Sequence, residues 1–317
     1  MKSLDALATP QGIIAALAID QRKSLRRMIA GAAAVPDSEI SDSQIAEFKE
    51  SVFEILGAHA SAVLIDPEYG AGVLSRRTPG AGLLLTYESD GFENPRPHRM
   101  LALMSTFSVR RLRELGANGV KIFLSWSPEE NPAANDQKRV LIERIGDECA
   151  GAGLPFLLEP VVYDPAGADP RGPDFARRKP ALVRETMQEF SKPVYQVDVL
   201  KVEFPVITAH LGTVYSREEA LDAFRAVDEV ARCPYIYLSA GVSLAEFTAS
   251  LELASEARVR YSGVLCGRAA WQNGVAVYAR EGRAALDRWL AGEGVANLRC
   301  IFGHLKSASP WRAWENR

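Results

Sequence analysis

At 317 residues and a net charge of −3, the chain fits one large domain or two small ones and has no basic excess to hold nucleic acid or an anionic membrane. Its 47% hydrophobic and 24% charged residues are ordinary for a globular protein, long enough to build one large core. No apolar run approaches about 20 residues and residues 1–10 lack the pattern of a signal peptide, so neither a membrane span nor a leader is expected.

Short apolar runs recur along the chain. They are 13–20 (IIAALAID), 60–66 (ASAVLID), 82–87 (GLLLTY), 119–125 (GVKIFLS), 155–162 (PFLLEPVV), 197–204 (VDVLKVEF), 235–240 (YIYLSA) and 262–267 (SGVLCG). Continuous runs rich in Val, Ile and Leu predict strands buried on both faces, as in a parallel sheet. Stretches of helical period lie between them, at 45–56, 109–115, 135–150, 174–190, 217–231 and 244–257. Ser216 with Glu219, and Ser243 with Glu246, read as capping boxes that start two of these helices. Eight strand–helix repeats without a reversal signal predict an α/β fold, a closed (β/α)8 TIM barrel rather than an open, doubly wound sheet. No linker divides the chain, so one barrel domain is expected over 1–317, with 299–317 as a polar tail packed on it. The Pro- and Gly-rich 164–173 reads as a long loop after the fifth strand, at the face where barrel chemistry sits.

The four cysteines, Cys149, Cys233, Cys266 and Cys300, have no CxxC or zinc spacing. Free thiols and a reducing cytoplasm are the expectation. His59, His98, His210 and His304 share no metal-binding spacing, and neither a GxGxxG after the first strand nor a P-loop occurs. No metal, dinucleotide or other cofactor is therefore expected.

Burying an ion without a partner is costly, so charges inside apolar strands need a reason. Asp20, Lys121, Glu159 and Lys201 are four such charges, each from a different strand. A barrel would gather them at its top. A lysine in a dry pocket titrates lower than in water, and a nearby cation, for which Lys121 is the candidate, pushes the same way. The neutral amine of Lys201 can then attack a ketone. Its structural alternative is a pair with Glu203 or a head that reaches solvent. Glu159 can shuttle protons during carbinolamine formation, dehydration and carbon–carbon cleavage, or serve as an ion-pair partner of either lysine. Asp20 can bind substrate hydroxyls, orient a lysine, or simply cap a helix. Ser239, Gly241, Gly267 and Arg268 close the seventh and eighth runs, where small residues and an arginine can grip a phosphate.

On these residues the chain resembles the tagatose 1,6-bisphosphate aldolases, class I Schiff-base enzymes. The stretches that carry the likeness include ALAIDQR (16–22), VLIDPEYG (63–70), AGLLLTYE (81–88) and RRLRELGANGVKIFL (110–124). It continues through PFLLEPVVYD (155–164), VDVLKVEFPV (197–206), YIYLSAGVS (235–243) and GVLCGRAAW (263–271), covering nearly the whole chain. The resemblance implies Lys201 as the Schiff-base lysine and Glu159 as the acid/base. It implies Asp20, Gln21 and Lys121 as polar site residues, and Ser239, Gly241, Gly267 and Arg268 as the grip on the ketone-end phosphate. The implied products are dihydroxyacetone phosphate and glyceraldehyde 3-phosphate, with tolerance of hydroxyl stereochemistry, in a cytoplasmic homo-oligomer. Two departures stand out. The segment between KVEFPV and YSREE is only ITAHLGTV, where the family usually carries a longer acidic loop. Pro160 follows Glu159, as in the related sulfofructose-phosphate aldolases, which take a sulfonate at the aldehyde end. A sulfofructose 1-phosphate aldolase and a silent sugar-phosphate-binding regulator are the alternatives.

Overall fold

All eight apolar runs form strands in the computed structural model, which describes residues 1–89, 91, 94 and 96–315. They are β1 (Ile14–Ile19), β2 (Ala62–Ile65), β3 (Gly82–Thr86), β4 (Gly119–Trp126), β5 (Phe156–Val162), β6 (Val199–Val202), β7 (Tyr235–Leu238) and β8 (Gly263–Cys266). Every pairing is parallel, in sequence order, and β8 closes on β1. The (β/α)8 barrel read from the alternation is the architecture of the chain, and closure removes both sheet edges.

Helices surround the barrel: α1 (Lys23–Ala33), α2 (Asp42–Ile55), the single-turn α3 (Pro67–Gly70), α4 (Val109–Glu114), α5 (Pro132–Ala152), α6 (Pro173–Phe190), α7 (Arg217–Val230) and α8 (Leu244–Glu256). After β8 come α9 (Arg268–Trp271), α10 (Gly274–Glu281), α11 (Arg283–Trp289) and α12 (Val295–Gly303). Both predicted capping boxes form, and a third, Ser41 with Gln44, starts α2. Between β2 and β3 the helical layer shrinks to α3 and a 3-10 segment, Ala71–Arg76, because three glycines and a proline interrupt residues 70–80. Among the described residues no helix is long and apolar enough to cross a membrane.

Side chains alternate across each strand, so one parity fills the barrel and the other packs under the helices. The barrel-filling set includes Ile14, Ala16, Ala18, Leu64, Leu84, Leu157, Val199, Ile236 and Leu265. Leu4, Leu7 and Trp311 join it and close the floor of the barrel. The backbone N–H of Trp311 donates to Gly12 O at 2.9 Å, and Arg312 pairs with Asp5. Nearer the mouth, Phe123, Val161 and Leu238 form a small apolar cluster of their own.

Candidate active site

Extending the inward parity toward the strands' C-terminal ends brings polar residues onto the axis. Ala18 is followed two residues on by Asp20, Thr86 by Glu88, Leu157 by Glu159, Val199 by Lys201 and Leu265 by Gly267. Lys121 starts lower, because it is the register partner of Leu157 while Glu159 pairs with Phe123. Its four-carbon stem spans that step and lifts the ammonium into the carboxylate layer.

There Lys121 Nζ meets three carboxylates: Glu159 Oε2 at 2.7 Å, and Asp20 Oδ2 and Glu88 Oε1 at 2.9 Å each. The other oxygen of Glu159, Oε1, lies 2.8 Å from Lys201 Nζ. Glu159 thus bridges the two lysines, so the cation expected beside Lys201 reaches it through a carboxylate. Lys121 and Lys201 are 2% and 4% exposed, which makes this a buried network rather than a surface ion pair.

The electrostatics follow from that packing. Burial disfavours the charge on Lys121, but Asp20, Glu159 and Glu88 outweigh it and hold the ammonium well above the ordinary lysine range. Burial likewise opposes ionisation of Asp20, yet Lys121 and Lys201 win and keep its carboxyl well below the usual value. At Glu88 burial prevails over Lys121 and Arg22, and the carboxyl is pushed up.

Neighbouring residues fix the first strand's end behind Asp20. Lys49 on α2, fully buried, donates to Ile19 O at 2.9 Å and pairs with Asp66. Trp271 donates its indole N–H to Ala18 O at 2.9 Å. On the far side, Glu203 does not pair with Lys201. Its Oε1 lies 3.0 Å from Lys179 Nζ, and its Oε2 accepts from the backbone N–H of Val162 at 2.8 Å.

The mouth holds a two-lobed cavity whose lobes share Gln21, Phe123, Glu159, Lys201 and Arg268. One lobe is polar, with Asp20, Arg22, Ser24, Glu68, Glu88 and Lys121 in its wall. The other adds Val161, Ile207, Leu238, Ser239 and Gly267. Ser239, Gly267 and Arg268 thus meet beside Lys201, as the sequence places them. Gly241 does not line the cavity but makes room for what does. Its φ is +75°, and a Cβ there would stand 2.5 Å from Arg268 Cζ. A Cβ on Gly267 would stand 2.7 Å from Ala18 O, so only glycine lets the end of β8 lie this close to β1. Cys266, beneath this cradle, has a thiol pushed up to about 12 by burial.

The residue that sequence reasoning missed is Glu88, and its signal was there: it lies two residues past Thr86, on the same inward parity as Leu84.

A closed parallel barrel with a buried lysine–carboxylate network at its C-terminal mouth has the apparatus of an enzyme that works on a carbonyl compound through an amine. A family profile described as DeoC/LacD family aldolase matches residues 14–273. The chain is 45% identical to tagatose 1,6-diphosphate aldolase 2 of Enterococcus faecalis, over 98% of this chain and 95% of that one. It is 40% identical to the tagatose 1,6-diphosphate aldolase of Listeria monocytogenes (97% and 92%) and 39% identical to that of Lactococcus lactis (98% and 96%). The chain belongs to the DeoC/LacD aldolase family.

Proposed function

We propose that this aldolase cleaves D-tagatose 1,6-bisphosphate, and epimeric ketose 1,6-bisphosphates, to dihydroxyacetone phosphate and glyceraldehyde 3-phosphate through a Schiff base on Lys201. The observation that carries the reading is the 2.8 Å contact between Lys201 Nζ and Glu159 Oε1 inside the buried mouth. An amine so placed can give up its proton to the carboxylate and attack a carbonyl. The substrate named for the relatives supports the choice of sugar.

Lys201 adds to the C2 ketone, and Glu159 protonates the departing hydroxyl to give the iminium. The C3–C4 bond breaks with its electron pair drawn into the iminium, leaving an enamine on Lys201. A carboxylate of the cluster takes the C4 hydroxyl proton as the aldehyde forms. The enamine is then protonated at C3, and water releases the ketone from Lys201. Lys121 stays charged throughout and holds Glu159 in place, with Asp20 as its ionised counterweight. Gln21 offers its amide to substrate hydroxyls. Ser239 and Arg268 take the ketone-end phosphate, with Gly241 giving the guanidinium its room and Gly267 letting the end of β8 lie against β1. The same reading keeps the enzyme in the cytoplasm with its charged substrate, in keeping with its free thiols.

The test is reduction with borohydride in the presence of dihydroxyacetone phosphate, followed by peptide mapping. A reduced adduct on Lys201 is expected; an adduct elsewhere, or none, ends the reading. Turnover of tagatose bisphosphate above that of sulfofructose 1-phosphate is the expected substrate order, and the reverse would reassign the aldehyde-end subsite.

A further inference from the structure

Three carboxylates surround Lys121, and they are not equivalent. Both oxygens of Glu159 are engaged, one by Lys201 and one by Lys121. Asp20 is held strongly ionised, which makes it a weak base. Glu88 differs from both. Its Oε1 accepts from Lys121, but Oε2 is buried and has no hydrogen-bond partner among the described residues. The residue is 1% exposed and sits in the wall of the polar lobe. A second orphan, Gln21 Oε1, belongs to the same wall. Buried polar atoms left unpaired carry a penalty of about 1–3 kcal/mol each, and two on residues that line one lobe point to a ligand that is itself polar.

The position of that lobe says which part of the ligand. With the ketone-end phosphate against Ser239 and Arg268, and C2 bonded to Lys201, the rest of the sugar extends into the polar lobe. C4 lies two bonds beyond C2, on the side of Lys121 and Glu88. The hydroxyl there can donate and accept, which suits a carboxyl oxygen and an amide oxygen at once.

We infer that Glu88 is the acid/base that exchanges a proton with the C4 oxygen, leaving Glu159 to the chemistry at C2. This rests on the Schiff-base reading above. In cleavage, Glu88 Oε2 takes the C4 hydroxyl proton while the O–H pair becomes the carbonyl π bond and the C3–C4 pair enters the iminium. In condensation the same oxygen returns the proton to the aldehyde. Burial raises the affinity of Glu88 for a proton, the direction an acid/base needs.

The experiment separates C4 chemistry from C2 and C3 chemistry. Wild type and Glu88→Gln are compared in cleavage of tagatose 1,6-bisphosphate, in borohydride trapping with dihydroxyacetone phosphate, and in exchange of the C3 hydrogen of dihydroxyacetone phosphate with deuterated water. The amide keeps an oxygen for Lys121 but cannot accept the C4 proton. Cleavage should fall about 100-fold or more, while trapping and exchange stay within about 3-fold. If all three fall together, Glu88 acts only by positioning Lys121; if cleavage survives, it has no part in the step. Either result overturns the proposal. A second measurement needs no variant: in the wild type, the pH profile of cleavage should carry an ionisation that the exchange profile lacks, and superimposable profiles would also overturn it. Absence of trapping and exchange in the wild type would instead sink the Schiff-base reading, and the role of Glu88 with it.

Discussion

Lys121 and Lys138 are both buried lysines of the same βα unit, and they are held in opposite ways. Lys121 points along the axis from β4 into three carboxylates. Lys138, on α5, is fully buried, yet its ammonium donates to Ser125 O at 2.9 Å and to Tyr163 Oη at 3.4 Å, with no carboxylate in ion-pair range among the described residues. Glu130, whose charge reaches Lys138, is spent on Tyr163 Oη at 2.5 Å and His98 Nδ1 at 3.1 Å. The outcome differs in sign. Lys121 is pushed well above the ordinary value, whereas burial brings Lys138 down to about 8, with Arg99 helping and Glu130 opposing. Burial alone does not set a lysine's charge; the formal charges within reach decide it.

The sharpest test of that contrast is a third lysine. Lys201→Met should lose roughly 10⁴-fold or more in cleavage. Stability should change little, because Glu159 keeps its bond to Lys121; matched kinetics and thermal melts would check both. Next, Lys121→Met strands three carboxylates around an apolar side chain. We expect a loss of about 3–5 kcal/mol in urea unfolding at neutral pH, along with most of the activity. A mild effect there would mean the cluster protonates and relaxes easily.

Gly241→Ala tests the cradle. Positive φ and the approach to Arg268 should cost about 1–3 kcal/mol, read chiefly as a raised KM for the bisphosphate. The smallest effect concerns pH. Lys138 binds its proton less tightly in the folded chain, so between about 8 and 10.5 the unfolded chain carries more protons and stability rises with pH. Wild type should gain about 1–3 kcal/mol over Lys138→Met across that window. Lys121 runs the other way: its contribution is complete below 10.5 and fades only as pH climbs through its raised folded value. Parallel curves for Lys138→Met and Lys121→Met would break the comparison.

How much of this was legible in the residues alone depends on the signal. The strands were, because burial on both faces writes an unbroken apolar run that no polar surface dilutes, as in GLLLT of β3. The four charges were, because Lys121, Glu159 and Lys201 each interrupt such a run and Asp20 ends one. Glu88 was not, since it follows Tyr87 just outside its run, where an acid looks like loop chemistry until strand parity is carried one step further. Helix α1 was passed over because its buried face is only Leu25, Ile29 and Ala30 amid alanine and arginine. The helices after β8 are short, α10 and α11 being separated by Gly282, and so show little periodicity. Neither Lys138 nor the Lys49–Asp66 pair could be found from sequence, because a lysine on a helix reads as a solvated face until its neighbours are known.

The closed floor of the barrel has a bearing on traffic. With Leu4, Leu7 and Trp311 stoppering one end, the catalytic well is closed below, and Lys201 is reached from the two-lobed mouth. On the proposed chemistry the ketone fragment is tethered while the aldehyde is loose. The aldehyde can therefore leave first, by the mouth it faces, while its partner stays bound to Lys201 until water releases it.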